Sequence, residues 1–121
     1  MKKKVLVAED NKLLLKTCCR FLAASDYSVT PCASAAEAGD KIRSGDYTLL
    51  LTDYWLGDGC GSELISLIKE KNPAARAVIM TGDPNLAGTR GPGPAYADTE
   101  TLMKPFDMDT LLAYMNSAER A

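Results

Sequence analysis

Thr48-Leu49-Leu50-Leu51-Thr52 is an apolar and β-branched run that ends on one carboxylate, Asp53. A strand with one wet face would alternate apolar and polar residues. This run does not, which predicts a central strand, Thr48 to Thr52, buried on both faces. Asp53 then stands at the carboxyl end of that strand, where open parallel sheets bind their ligands. Other runs end in the same way. Lys4–Ala8 leads into Glu9-Asp10, Ala77–Met80 leads into Thr81, and Thr99–Met103 leads into Lys104-Pro105. If these strands are parallel neighbours, Glu9, Asp10, Asp53, Thr81 and Lys104 converge on one edge.

Helical periodicity fills the intervals. Asn11–Ala24 predicts a helix with Leu14, Cys18, Phe21 and Leu22 on its inner face, capped by Asp10 or Asn11. Tyr27–Cys32 is a weaker strand, and Pro31 assigns it to an edge. Ser34-Ala35-Ala36-Glu37 is a capping box that opens a second helix, reaching about Arg43. A third helix spans Ser62 to Lys71 with Leu64, Ile65 and Ile68 inward. Arg76–Thr81 is the next strand. A crossover helix should follow it, but Gly88, Gly91, Pro92, Gly93 and Pro94 oppose a long one. One or two turns and then an irregular loop are expected. A last helix, Phe106 to Ala118, carries Met108, Leu111, Leu112 and Met115 at helical spacing. The strand–helix alternation predicts an α/β fold: a doubly wound five-stranded parallel sheet flanked by helices, with a shortened or irregular fourth helix.

The 121 residues suit a single domain, 1–121. The net charge of −2 and the short Lys2-Lys3-Lys4 run argue against direct nucleic-acid binding. No run reaches the roughly 18 apolar residues of a membrane span. The start lacks the apolar core of a signal peptide, which predicts a cytoplasmic location. Cys18, Cys19, Cys32 and Cys60 form no C-x-x-C pair, and the chain has no histidine. Zinc binding and His-activated nucleophiles are therefore disfavoured, and buried reduced thiols are expected.

Carboxylates crowded at one edge repel unless one keeps its proton or a cation joins them. Oxygen ligands suit a hard ion, usually Mg²⁺ where the protein offers few ligands. Lys104 adds an ammonium and Thr81 a hydroxyl. Together they make a site for a transferred phosphoryl group, with Asp53 as the nucleophile. Each fragment alone has a simpler reading. Glu9-Asp10 would serve as a helix cap, Asp53 and Thr81-Gly82-Asp83 as turn residues, and Lys104-Pro105 as a strand terminator. Their order and spacing together favour the phosphoryl site.

These fragments are where a family resemblance appears. Glu9-Asp10, Asp53, Leu56 through Gly61, Thr81-Gly82 and Lys104-Pro105-Phe106 resemble the receiver domain of two-component response regulators across nearly the whole chain. The resemblance implies a flavodoxin-like fold and phosphorylation of Asp53 by a histidine kinase or phosphotransfer protein. It also implies Mg²⁺ held by Asp10, Asp53 and the backbone carbonyl of Trp55, with Glu9 acting directly or through water. Thr81 would shift toward the phosphoryl group, Lys104 would pair with it, and Lys104-Pro105 would be cis. A monomer or a phosphorylation-linked dimer without membrane contact is expected, acting on an output partner the sequence does not name.

Some positions depart from the family. Thr101 stands where an aromatic switch residue is usual, so an altered output surface around residues 84–98 is expected. Trp55 and Asp83 occupy positions that affect phosphoryl lifetime, and the bulk of the indole predicts a long-lived phosphate. A receiver-like scaffold that is never phosphorylated is the main competing function. An aspartyl-nucleophile phosphohydrolase is a weaker one, because the second acid it needs is replaced by Trp55.

Overall fold

The computed structural model describes residues 3–83 and 99–120. Its elements run β1 (Lys3–Ala8), α1 (Lys12–Ala24), β2 (Tyr27–Cys32), α2 (Ala35–Ser44), β3 (Leu49–Asp53), α3 (Gly61–Lys71), β4 (Arg76–Thr81), β5 (Glu100–Met103) and α4 (Met108–Arg120). All strand pairs are parallel, in the order β2-β1-β3-β4-β5. The apolar run is β3, the central strand, and Leu49 to Thr52 are buried. Pro31 lies on the edge strand β2, as expected from its missing N–H. Asp53 belongs to β3 as its last residue and pairs with Met80, so the strand extends one residue past the expected end.

Helices cover both faces of the sheet. Leu15, Cys18 and Leu22 of α1, with Leu111, Met115 and Ala118 of α4, pack on Val5, Val7, Leu49, Leu51, Val78 and Met80. On the other face Ala38 and Ile42 of α2, with Leu64, Ile65 and Ile68 of α3, pack on Leu6, Ala8, Leu50, Ala77 and Ile79. Alternate residues of each strand go to alternate faces, which is why a two-sided sheet needs an unbroken apolar run.

The inner face of α1 includes Cys18 and Leu22, as expected, but not Leu14 and Phe21. Leu15 replaces Leu14 and Phe21 as a buried contact; those two lie at its margin. Leu15, Cys18 and Leu22 follow i, i+3, i+7, whereas Leu14 only flanks the core. In α4, Met108 and Leu112 likewise flank the core rather than fill it. Asn11 is the cap of α1: its side chain accepts the Leu14 N–H at 3.1 Å. The capping box of α2 is formed with a shift. Ser34 accepts the Glu37 N–H at 3.1 Å, but Glu37 accepts from the Ala33 N–H at 2.8 Å rather than from Ser34. The short fourth helix, the Gly/Pro loop and the altered output surface expected over 84–98 lie outside the described residues.

Candidate functional site

The strand order reverses at β1, which has β2 on one side and β3 on the other. A crevice opens at such a reversal, outside the carboxyl ends of the strands. Glu9 and Asp10 follow β1 directly, and Asp53 ends β3. Carboxylate oxygens of Glu9, Asp10 and Asp53 lie within 4.8 Å of one another. Lys104, just past β5, reaches across the rim. Its Nζ donates to Glu9 Oε1 at 2.6 Å and to Asp53 Oδ2 at 3.2 Å. Thr81 ends β4, and its carbonyl accepts the Lys104 N–H at 2.7 Å. All five side chains expected at the edge are therefore carried on one rim.

Their environments differ. Glu9 is 0% exposed, Asp53 is partly buried and Asp10 is exposed. Glu9 accepts the Asn11 N–H at 3.0 Å through its other oxygen, so both carboxylate oxygens of this buried side chain have donors. Contact with the Glu9 carboxyl group, followed by partial desolvation and the Glu9 charge, raises the pKa of Asp10 above its ordinary value. Burial alone would lower the pKa of Lys104. The hydrogen bond to Glu9 and the charges of Asp53 and Glu9 outweigh it, and the ammonium is held above its ordinary value. One ammonium thus serves two carboxylates, while the third takes a proton more readily than usual. That is the signature of a rim with room for further positive charge. The donors are all oxygens, which suits a hard divalent cation.

The loop after Asp53 is shaped by glycine. Gly57 has φ +86°, the left-handed region that glycine enters without cost. A Cβ on Gly61 would collide with the Asp53 carbonyl and the Thr52 side chain, so glycine lets α3 start directly against the end of β3. Trp55 and Cys60 form an antiparallel bridge that closes the loop. Trp55 is 59% exposed. Thr81 Oγ1 accepts the Asp83 N–H at 3.1 Å. The Lys104–Pro105 peptide is cis. Two features escaped the sequence. One is the Lys104–Glu9 bond, made across 95 residues. The other is Asp58, which accepts the N–H groups of Ala35 and Ala36 at 2.8 and 3.0 Å. The acidic character of Asp58 beside a glycine loop was its only visible sign.

A doubly wound parallel sheet with three acids, a hydroxyl and a lysine at its carboxyl rim defines the class: an α/β fold with a charged site at that edge. The comparisons make this specific. The family model for the response regulator receiver domain matches residues 5–116. The chain belongs to the response regulator receiver domain family of two-component systems. The acid tolerance regulatory protein ActR of Sinorhizobium medicae is 29% identical over 111 residues, covering 92% of this chain and 57% of that protein. The response regulator receiver protein CpdR of Brucella abortus is 28% identical, covering 91% of each. The chain thus spans little more than half of ActR but nearly all of CpdR. Among solved structures, a response regulator receiver protein from Sinorhizobium medicae superposes with a TM-score of 0.86 at 23% identity, over 99% of this chain and 96% of that one. No described helix is long and apolar enough to cross a membrane.

Proposed function

We propose that residues 1–121 act as one receiver domain that takes a phosphoryl group onto Asp53 and changes partner binding when it does. The observation carrying this reading is the meeting of Glu9, Asp10, Asp53 and Lys104 at a single rim. Asp53 is the nucleophile. One of its carboxylate oxygens bonds to phosphorus as the phosphorus–nitrogen bond of a phosphohistidine donor breaks, and the electron pair leaves with the imidazole nitrogen. Glu9, Asp10 and Asp53, with the backbone carbonyl of Trp55, would hold Mg²⁺, which offsets charge on the phosphoryl oxygens when bound. Lys104 pairs with a phosphoryl oxygen from its place beside Asp53. Thr81 accepts an N–H from Asp83 and so keeps its own proton to donate to another phosphoryl oxygen.

The donor is a histidine kinase or a phosphotransfer protein. Leu13 is 76% exposed and follows β1; Trp55 follows β3. Both lie on segments that leave the acidic rim and offer apolar area for a docking protein. The output partner is another protein or an attached domain, in the cytoplasm, with no direct contact to nucleic acid or membrane. The domain is monomeric or dimerises on phosphorylation. Intact mass after incubation with acetyl phosphate tests the reading. Gain of one phosphoryl group with Mg²⁺, and none with a chelator or in Asp53→Asn, is expected. No gain under any condition would leave an unphosphorylated scaffold as the better description.

A further inference from the structure

Both ends of α2 are held by the segment that leads from β3 through α3. At the amino end, the Asp58 carboxylate bridges the Ala35 and Ala36 N–H groups. At the carboxyl end, Lys71 Nζ donates to the carbonyls of Ile42 at 3.1 Å, Arg43 at 2.9 Å and Gly45. The signs match the helix dipole, with the anion at the positive end and the cation at the negative end. We propose that Asp58 is a positioning residue that couples occupancy of the Asp53 site to α2, an inference that rests on Mg²⁺ binding at that site.

The loop is built to transmit displacement. Leu56 is buried and its N–H donates to the Gly59 carbonyl at 2.9 Å. Trp55 bridges Cys60, and the Gly61 N–H donates to the Tyr54 carbonyl at 2.8 Å. Asp58 thus lies in a turn whose two arms are tied to each other down to Trp55 at its base. Gly59 packs directly on Ala35: a Cβ there would fall 2.8 Å from the Ala35 Cβ. The helix that receives this contact is a short one of 10 residues with Gly39 inside it. Such a helix depends on its tertiary ties. Binding that orders the loop must strengthen the Asp58 bridge, and by reciprocity the bridge must strengthen binding. The two N–H donors also lower the Asp58 pKa, Ala35 first and Ala36 second, which keeps the bridge anionic.

The test uses Mg²⁺ alone as the probe. Metal entry is read from the fluorescence of Trp55, the one tryptophan of the chain. The bridge is read from amide exchange at Ala35 and Ala36. In the parent, Mg²⁺ should slow both amides. Asp58→Ala should abolish that response and weaken Mg²⁺ binding by about fivefold or more. Ser34→Ala removes a cap from the same helix, at Glu37 N, without touching the loop; its Mg²⁺ affinity should stay within about twofold of the parent. If the metal binds and the Ala35 and Ala36 amides do not respond, the coupling is overturned while the phosphoacceptor reading stands. Equal loss of affinity in Ser34→Ala would reduce Asp58 to an ordinary cap and overturn it as well. Absence of any Mg²⁺ binding in the parent would overturn the proposal together with the function it rests on.

Discussion

Glu9 is a carboxylate with no solvent exposure, and only paired donors make that tolerable. Lys104 supplies the shorter of them. Lys104→Ala should therefore destabilise the metal-free domain by roughly 1–3 kcal/mol, because a buried acid loses a charged partner. Urea unfolding in a chelator measures this. Added Mg²⁺ should recover part of the loss by replacing the missing positive charge, and a variant as stable as its parent would argue against the pairing. Trp55 bears on a different step. Its exposed indole stands two residues past Asp53 and is expected to obstruct a hydrolytic water. Trp55→Ala should shorten the lifetime of the phosphorylated state, followed by loss of the phosphoryl mass with time; an unchanged lifetime would return Trp55 to a docking role. Burial raises the Cys18 and Cys19 thiols to about 11 and Cys32 to about 12. At pH 8 the thiolate fraction at each is then about one in a thousand or less. Cys60 should react first with a disulfide reagent, and Cys18 and Cys32 only as the chain unfolds. Equal rates at Cys32 and Cys60 would contradict their burial.

At the scale of elements, what was readable in the sequence follows from how local each cause is. The central strand was plain in Leu49-Leu50-Leu51 because burial on both faces leaves no alternation. The cap Ser34 was plain, and that of α1 was narrowed to Asp10 or Asn11, because cap partners lie three residues away. The face of α1 was read correctly at Cys18 and Leu22 but not in its first turn, since the apolar residues Leu13, Leu14 and Leu15 are consecutive and only packing selects Leu15. The Asp58 bridge spans more than twenty residues, and nothing local announces it. Likewise the candidate site was legible as a set of residue types at strand ends, whereas the sharing of one ammonium between Glu9 and Asp53 was not. Acid should expose the caps built on carboxylates, the long-range one at Asp58 and the local one at Asp107. Backbone N–H donors lower the pKa of Asp58, and Ala35 is its main donor; Thr110 does the same for Asp107. A carboxylate depressed in the folded state contributes stability above its unfolded pKa, near 3.8, and loses it as pH falls through the folded value. Urea midpoints followed by circular dichroism should thus fall with acid below about pH 3.8, and less steeply in an Asp58→Asn, Asp107→Asn double variant. Parallel acid limbs would contradict the role of these caps.

At the scale of the molecule, the fold's contribution is an address. Parallel strands send their carboxyl ends to one rim, and the reversal of strand order between β1 and β3 leaves space there for a ligand. Residues that are ordinary caps and turn formers one by one become a charged site because four connections return the chain to the same edge. On the proposed function this rim makes one carboxylate, Asp53, the acceptor. The most direct test is to phosphorylate the domain with acetyl phosphate and Mg²⁺, reduce the acyl phosphate with borohydride, and map the altered residue by peptide mass. Modification at Asp53 alone is expected. Modification at Glu9 or Asp10 instead, or of no carboxylate on the rim, would contradict it.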